Sequence, residues 1–233
     1  MKRILLKLSG EALSGGTGKG LDCDTVKGVA AQIKEITAGG VSCGIVIGGG
    51  NFWRGDEHQH ELERARADEI GMLATVMNCL YAAEVFRAES LKTKVFCSFT
   101  IEGIAEHYSR DAVLQALDEG TVVFFAGGTG NPYFSTDTGT VLRALQIGAD
   151  TILMAKSVDG VYDKDPEKYP DAVRYDRISI GEVVEKRLGV IDGAAAAMLL
   201  ENPLPLFVFD LLADRSIVRA VEGMEGGTVV TAQ

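Results

Sequence analysis

Three glycine-containing stretches of the sequence carry polar side chains suited to phosphate chemistry. They are Lys7-Leu8-Ser9-Gly10, Gly48-Gly49-Gly50-Asn51 and Gly127-Gly128-Thr129-Gly130-Asn131, and each follows a short apolar run. Glycine lets the backbone approach a phosphate closely and turn its N–H groups toward it. One such stretch is equally well explained as an ordinary turn after a strand. Three of them together favour a site for a polyanion, or for two phosphorylated ligands that meet end to end.

Three ionisable residues near these stretches are candidates for phosphoryl transfer. Lys7 interrupts an apolar run, where a lysine must snorkel, form a pair or act on a ligand, and we favour the last. Arg54 follows the triple glycine and carries a planar fork suited to bidentate phosphate binding. Asp137 stands at a predicted helix start, where a carboxylate serves equally well as an N-terminal cap. For Asp137 both interpretations stay open.

A fourth glycine-rich stretch superficially resembles a P-loop but fails its requirements. Its residues are Gly15, Gly16, Thr17, Gly18, Lys19 and Gly20. No serine or threonine follows the lysine to bind Mg²⁺, and the stretch does not open a helix directly from a strand. These departures argue against a Walker-type kinase, and a flexible connector between strand and helix is one interpretation of this loop.

Strands and helices alternate along the chain. Apolar runs predict strands at residues 3–8, 41–47, 94–98, 121–126, 151–155, 206–209 and 228–231. Helical spacing predicts helices at 69–88, 111–117 and 138–147, and another that begins at Asp22 or Asp24 and ends at Gly39-Gly40. The Asp192-Gly193 pair predicts a further helix start that could equally support the edge of the site. Residues 157–177 form a polar excursion with a small hairpin.

This alternation predicts one α/β domain over residues 1–233. Its expected architecture is a three-layer α/β/α sandwich with a central, mainly parallel sheet. The strands are apolar throughout, which indicates that both faces of the sheet are covered. In such sheets ligands bind beyond the carboxyl ends of the strands, and the glycine stretches follow those ends.

Composition excludes several functional classes. The 233 residues are 46% hydrophobic and carry a net charge of −10, which argues against a surface that tracks nucleic acid. Four cysteines without a C-x-x-C pair indicate a reducing compartment and no zinc site. His58 and His60 lack a third ligand, so no protein metal site is expected. We find no stretch long and apolar enough to span a membrane and expect a cytoplasmic protein.

Six motifs of the sequence resemble a known family. Lys7-Leu8-Ser9-Gly10-Glu11, Val46-Ile47-Gly48-Gly49-Gly50-Asn51 and Val158-Asp159-Gly160-Val161-Tyr162 are similar to the amino acid kinase family. The remaining motifs resemble the branch of that family that phosphorylates UMP: Asn51-Phe52-Trp53-Arg54-Gly55, Asp68 with Gly71-Met72-Leu73-Ala74-Thr75-Val76-Met77-Asn78, and Thr129-Gly130-Asn131-Pro132-Tyr133-Phe134-Ser135-Thr136-Asp137. The similarity runs from residue 2 to residue 231.

The resemblance implies a role for each matching residue on the ATP side. Lys7, Arg54, Asp137 and Lys156 would be catalytic, with Lys7 stabilising the transferring phosphoryl group and Asp137 orienting Lys7. The ATP site would comprise Lys7, Leu8, Ser9, Gly10, Gly50, Arg54, Lys156, Tyr162 and Asp165. The family usually has a lysine directly before its Val-Asp-Gly-Val motif. Here Ser157 holds that position and Lys156 precedes it, so the identity of the second catalytic cation stays open.

On the UMP side the resemblance implies that Asp68 holds the ribose. Gly49, Thr129, Gly130, Asn131, Pro132, Tyr133, Phe134, Ser135 and Thr136 would contact the base and the phosphate. Mg²⁺ would arrive with ATP, held by phosphates and water, so no protein ligand is assigned to it. Members of this branch are typically homohexamers activated by GTP and inhibited by UTP, and residues 15–20 would be the GTP-responsive loop.

Two alternatives differ from this assignment in function. Other members of the family phosphorylate carboxylic acids or carbamate, but Asp68 would repel a carboxylate. A pyrimidine sensor without turnover could keep the ribose contact and lose Lys7 or Asp137. Both residues are present, which favours an enzyme that transfers the phosphoryl group directly, without a covalent intermediate.

Overall fold

The computed structural model describes residues 1–53 and 62–231. The predicted phosphate ligand Arg54 and the histidines His58 and His60 lie outside the described residues.

Strands and helices alternate as expected from the sequence. The strands are β1 (Arg3–Leu8), β2 (Ser42–Ile47), β3 (Thr93–Cys97), β4 (Glu106–His107), β5 (Val122–Ala126), β6 (Thr151–Lys156), β7 (Val161–Tyr162), β8 (Arg174–Tyr175), β9 (Arg177–Ser179), β10 (Leu206–Asp210) and β11 (Gly227–Thr231). The helices are α1 (Cys23–Ala38), α2 (Arg64–Ala88), α3 (Arg110–Asp118), α4 (Thr136–Ile147), α5 (Ile180–Glu185), α6 (Gly193–Glu201) and α7 (Ser216–Gly223). A 3-10 helix, Ala12–Thr17, follows β1.

The described strands, apart from the hairpin of β7 and β8, form one sheet in the order β4-β3-β5-β2-β1-β6-β10-β11-β9. All neighbours are parallel except β10 and β11. Strand β1 lies between β2 and β6, with Lys7 opposite Val46 on one side and Met154 on the other. Because the chain leaves β1 toward β2 and later returns on the opposite side to β6, a crevice opens at the carboxyl end of β1.

Helices cover both faces of the sheet, as the apolar strands predict. Along β1, Ile4, Leu6 and Leu8 pack in the layer that contains α1, α2 and α7. Leu5 faces the opposite layer, which contains α3, α4 and α6. Because side chains two residues apart on a strand share a face, Lys7 lies on the same side as Leu5, toward the layer that contains α4. The three-layer α/β/α sandwich with a mainly parallel sheet is confirmed.

The predicted boundaries agree closely with the observed ones except at α2. Asp22 caps α1 by accepting a hydrogen bond from the N–H of Thr25 at 2.8 Å, and Gly39 ends that helix. Helix α2 begins at Arg64, five positions before the predicted start at 69, and so includes Asp68. Its first turn is rich in arginine and alanine and lacks a side-chain cap, so neither apolar periodicity nor a capping residue signals its start.

We expected no stretch long and apolar enough to span a membrane. That expectation is wrong for α2, whose length and apolar composition would suffice. Among the described residues, this helix alone is long and apolar enough to do so. It packs against α1, β3 and β5, however, and 44% of its most apolar window is buried. A core helix of a soluble protein meets the same criteria, so the observation is weak support for a membrane span.

Close packing of the central strands requires glycine at position 44. A Cβ there would lie 2.8 Å from Cε2 of Phe125 and 3.1 Å from Cδ1 of Leu5. We expect Gly44→Ala to lower the free energy of unfolding by about 1–3 kcal/mol through overpacking, as measured by urea denaturation. The control is Gly28→Ala on the exposed face of α1, where a Cβ meets nothing within 4 Å. It should raise stability by about 0.5–1 kcal/mol, and a loss of stability equal to that of Gly44→Ala would contradict the packing argument.

Candidate functional site

The side chains of Lys7 and Asp137 meet at the carboxyl end of β1. Nζ of Lys7 lies 3.1 Å from Oδ1 of Asp137, and the two side chains are only 12% and 18% exposed. The approach is that of an ion pair without hydrogen-bond alignment, because the buried Oδ1 accepts no hydrogen bond from the described residues. The pair therefore brings a cation and an incompletely satisfied carboxylate oxygen to the crevice.

The start of α4 decides between the two interpretations of Asp137. Ser135 is the N-cap, and its Oγ accepts hydrogen bonds from the N–H groups of Asp137 and Thr138. Asp137 lies one residue inside the helix, so its side chain is not needed as the cap. The carboxylate contacts the ammonium of Lys7 instead.

Lys156, at the end of β6, is a second, half-buried cation beside this pair. Its Nζ donates a hydrogen bond to the carbonyl oxygen of Val190 at 2.5 Å. Burial lowers the pKa of Lys156; the carboxylate of Asp137 acts in the opposite direction, and the ammonium of Lys7 lowers the pKa further. Ser157, by contrast, is exposed. Among the described residues, Lys156 is thus the lysine that the structure brings to the pair.

Asp192 joins the N-termini of α4 and α6. It caps α6 through the N–H groups of Ala194 and Ala195, and it accepts hydrogen bonds from the hydroxyls of Ser135 and Thr138. Burial alone would raise the pKa of Asp192, but these hydrogen bonds outweigh burial and the pKa is lowered. The sequence marked Asp192 as a helix start that could equally support the edge of the site, and in the structure it does both: it caps α6 and lines the cleft described below.

The stretch after β1 is tied by its backbone to both neighbouring strands. The N–H of Ser9 donates to the carbonyl of Ala155, and the N–H of Gly48 donates to the carbonyl of Leu8. The side chain of Leu8 is buried in the core, so only its backbone faces the crevice. Oγ of Ser9 accepts from the N–H of Ala12 at 3.5 Å, at the start of the 3-10 helix.

A cleft of about 460 Å³ opens between α2 and α4, and we call it the α2/α4 cleft. The predicted residues that line it are Gly49, Gly50, Asp68, Tyr133, Phe134, Ser135 and Thr136. Asp192, which the sequence placed at a helix start or at the edge of the site, lines it too. Residues without a predicted role also line it: Trp53, Arg64, Ala67, Gly71, Met72, Thr75 and Gly128. Thr129, Gly130, Asn131 and Pro132 do not. The hydroxyl of Thr129 instead forms hydrogen bonds within its own turn. It accepts from the N–H of Asn131 and donates to the carbonyl oxygen of the same residue.

Asp68 presents its carboxylate inside the α2/α4 cleft. Oδ2 accepts a hydrogen bond from the N–H of Tyr133 at 2.8 Å, and both carboxylate oxygens accept from Nε of Arg64. The side chain of Asp68 is 17% exposed. Tyr133, with a φ of 71°, and Phe134 expose aromatic rings at the same cleft. The cleft thus offers an oriented carboxylate beside two aromatic surfaces.

A second cleft, of about 470 Å³, opens between β6 and the β7–β8 hairpin, and we call it the β6/β7 cleft. Lys156, Tyr162 and Asp165, which the resemblance assigns to the ATP site, line it. The hydroxyl of Tyr162 donates to Asp159, and this hydrogen bond raises the pKa of Tyr162. Other lining residues had no signal in the sequence: Lys164, Lys186, Arg187, Leu188 and Val190.

The Lys7–Asp137 pair lies beside residues of both clefts, although neither Lys7 nor Asp137 is among the lining residues. Asp137 directly follows Thr136, which lines the α2/α4 cleft, and it interacts electrostatically with Lys156, which lines the β6/β7 cleft. Two ligands in the two clefts would therefore approach each other at this pair.

The residues present fit a metal carried by a phosphorylated ligand better than a metal held by the protein. Within residues 1–53 and 62–231, no group of three His, Cys, Asp or Glu side chains is placed to hold an ion. The buried Oδ1 of Asp137 is one oxygen that could face such an ion or its water. Mg²⁺ commonly keeps several waters and binds through substrate phosphates with one or two carboxylates, which this arrangement satisfies.

The glycine-rich residues 15–20 lie beside the site. Gly15 kinks the 3-10 helix, with a φ of 58°, and Gly18 ends it in the left-handed conformation. The N–H of Gly20 donates to the carbonyl of Asn51. The loop is thus attached to the Gly48–Asn51 stretch by a specific contact.

A parallel sheet with phosphate-directed loops at a strand-order switch is typical of α/β enzymes that bind phosphorylated ligands. Comparison with known families specifies the class further. The model of the amino acid kinase family matches residues 2–210. The chain belongs to the amino acid kinase family.

Comparison with individual proteins shows which members of the family this chain resembles. The chain is 47% identical over 233 residues to a uridylate kinase of Streptomyces avermitilis, covering 99% of this chain and 92% of the relative. Its fold matches the crystal structure of a UMP kinase from Bacillus anthracis with a TM-score of 0.93 at 34% identity, covering 100% of this chain and 96% of that one. The crystal structure of a UMP kinase from Ureaplasma parvum also matches with a TM-score of 0.93, at 33% identity, covering 99% of this chain and 98% of that one.

The environment of Lys156 predicts opposite effects of two substitutions on its pKa. Because the Asp137 carboxylate favours the charged lysine and Lys7 disfavours it, Asp137→Asn should lower the pKa of Lys156 and Lys7→Met should raise it. Titration of isotope-labelled lysines by NMR measures both effects. In the unaltered protein, Lys156 should titrate below the ordinary pH range of lysine. Shifts in the same direction in both variants would contradict the proposed cluster.

Proposed function

We propose that this chain transfers the γ-phosphoryl group of MgATP to UMP, giving UDP and ADP, as a nucleoside monophosphate kinase. The observation that carries the proposal is that the Lys7–Asp137 pair lies beside residues of two clefts. One cleft has a carboxylate and aromatic rings suited to a nucleoside. The other is lined by the half-buried Lys156, which interacts with Asp137 and Lys7.

UMP is proposed to occupy the α2/α4 cleft. The carboxylate of Asp68 accepts hydrogen bonds, and two ribose hydroxyls are suitable donors. Tyr133 and Phe134 offer rings against which a base can stack. The N-terminus of α4 and the Gly48–Gly50 turn would face the UMP phosphate, since helix N-termini and glycine-rich backbone favour anions.

ATP is proposed to occupy the β6/β7 cleft, with Tyr162 and Asp165 along its nucleoside. Lys7, Ser9, Gly10 and Gly50 would face its phosphates; Arg54, outside the described residues, is proposed to join them. Lys156 is proposed as the second catalytic cation because it lies beside Asp137 and lines the cleft.

Transfer would be direct, with the UMP phosphate attacking the γ-phosphorus. Phosphoryl transfer depends mainly on alignment and on cations that offset charge on the moving group. Lys7 would supply that charge, and Asp137 would hold its ammonium in place. Mg²⁺ bound to the ATP phosphates would neutralise part of their charge.

A cytoplasmic homohexamer regulated by GTP and UTP is the proposed assembly. Its support in this chain is the outer face of α2, where Leu73, Met77 and Tyr81 recur at helical spacing and are 40% to 50% exposed. An apolar stripe of this kind is suited to contact a second copy. For GTP, the support is the contact of residues 15–20 with the Gly48–Asn51 stretch.

Removal of the Lys7 ammonium should slow turnover without general loss of structure. We expect Lys7→Ala to lower kcat by about 10²–10³, as for other preorganised electrostatic groups. ADP release with MgATP is measured with UMP, CMP, dUMP, AMP, acetylglutamate or carbamate as acceptor. Lys27→Ala, on the outer face of α1, is the matched control and should retain the activity of the unaltered chain.

The same assay separates the proposed function from its alternatives. Activity on UMP supports the nucleotide kinase. Activity only on acetylglutamate or carbamate would assign the chain to the acid-phosphorylating members of its family, and binding of UMP without ADP release would indicate a sensor. A normal rate for Lys7→Ala would remove this lysine from the mechanism.

Asp68 should determine how tightly UMP binds. Loss of hydrogen bonds from ribose hydroxyls to a carboxylate predicts that Asp68→Ala raises the KM for UMP by about 10- to 100-fold. The ratio of the activity with UMP to the activity with dUMP should fall at the same time. Glu84→Ala, an exposed position on the same helix, serves as control. If the KM and the UMP/dUMP ratio stay unchanged, Asp68 does not hold the ribose.

A further inference from the structure

Two buried asparagines form a reciprocal amide pair beneath the glycine loops. Asn51 and Asn78 are 3% and 0% exposed. Nδ2 of Asn51 donates to Oδ1 of Asn78 at 3.0 Å, and Nδ2 of Asn78 donates to Oδ1 of Asn51 at 2.7 Å. Each side chain is therefore both donor and acceptor for the other.

The second N–H of each amide is also used. Asn51 donates to the carbonyl of Gly20 at 2.6 Å, and Asn78 donates to the carbonyl of Gly48 at 2.7 Å. Buried amides are costly unless they are hydrogen-bonded, whereas a fully satisfied buried network is rigid. All four N–H donors of this pair have partners, so the pair fixes the segments that it joins.

Those segments are the ones that surround the transfer point. A Cβ on Gly10 would lie 2.4 Å from Oδ1 of Asn51 and 2.4 Å from the carbonyl oxygen of Gly48. A Cβ on Gly49 would lie 2.9 Å from the carbonyl oxygen of Gly71 in α2. The loop after β1 thus rests directly on the amide pair, and the loop after β2 is held between that pair and α2.

Neither asparagine lines a nucleotide cleft. The residues around the α2/α4 cleft and the β6/β7 cleft include Gly49 and Gly50 but neither member of the pair. Sequence reasoning counted Asn51 among the polar residues of the phosphate-directed loops, whereas its side chain is buried and turned away from solvent. The effect of the pair on catalysis must therefore act through the loops.

We propose that Asn78, acting through Asn51, is a positioning residue for phosphoryl transfer. Its amide sets the separation between the Lys7–Gly10 loop and the Gly48–Gly50 loop, which would face the two reacting phosphates. The inference rests on the proposed function. Reacting atoms must lie about 3–3.5 Å apart and in line, and a misplacement of about 1 Å can lower the rate about 10²-fold.

This role predicts a change in kcat with little change in KM. The ribose, base and adenine contacts are proposed to come from Asp68, Tyr133 and Tyr162, whose hydrogen bonds among the described residues do not involve the amide pair. Both nucleotides should therefore still bind when the amide pair is lost, but with the γ-phosphorus out of line. We expect Asn78→Ala to lower kcat by about 10- to 100-fold and to change each KM by less than about threefold.

The experiment measures steady-state kinetics with MgATP and UMP for Asn78→Ala, Asn51→Ala and the double variant. If the two amides act as a unit, all three variants should lose the same factor in kcat, because the second substitution removes nothing further. Cys79→Ala is the matched control: this neighbouring residue of α2 is buried in the core and joins no loop of the site. It should lower the thermal unfolding midpoint and leave kcat unchanged.

Each other outcome contradicts the inference. A folded Asn78→Ala enzyme with normal kcat removes the positioning role. Losses that multiply in the double variant show that the two amides act separately, and an equal loss in Cys79→Ala shows that general destabilisation is the cause. If Asn78→Ala does not fold, Asn78→Ser is judged by the same criteria. Failure of the proposed function is read separately, from a wild-type chain that does not phosphorylate UMP.

Discussion

The contact between Lys7 and Asp137 is the constraint on which the rest of the site depends. Lys7 belongs to the central strand of the sheet and Asp137 to the first turn of α4, so the pair fixes one element against the other. Because the two side chains are only 12% and 18% exposed, water screens their attraction less than it would at the surface. Because Ser135 supplies the helix cap, the Asp137 carboxylate is available for this contact.

The order of the strands places a cleft on each side of that contact. The chain runs from β1 to β2 in one direction and returns to β6 in the other, so the helices and loops on the two sides enclose separate spaces. The protein carries a net charge of −10, yet its lysines Lys7 and Lys156 are concentrated at the edge where these spaces meet. A local cluster of cations in a crevice can attract an anionic ligand despite the opposite global charge.

The sequence predicted those features whose cause is local. Apolar runs and capping residues predicted the layers, seven of the nine described strands of the central sheet and the polar hairpin, because periodicity and turn chemistry act within a few residues. The short edge strands β4 and β9 were not predicted, because two or three residues are too few to show an apolar run. Long-range contacts had no such signal. Asp192 reaches the site from 54 positions beyond Thr138, and the buried amide of Asn78 appeared in the sequence as one polar residue on an apolar helix. Likewise, nothing in the sequence indicated that Thr129 would bond within its own turn instead of lining the cleft.

The central claim is that two nucleotides meet end to end at Lys7, so that the phosphoryl group passes between them in one step. The most direct test is the stereochemical course of the reaction, with ATP made chiral at its γ-phosphorus by oxygen isotopes and UMP as acceptor. A single in-line displacement inverts the configuration of the transferred group, and inversion is the result that this account predicts. Retention would require two displacements through a phosphorylated enzyme and would contradict it.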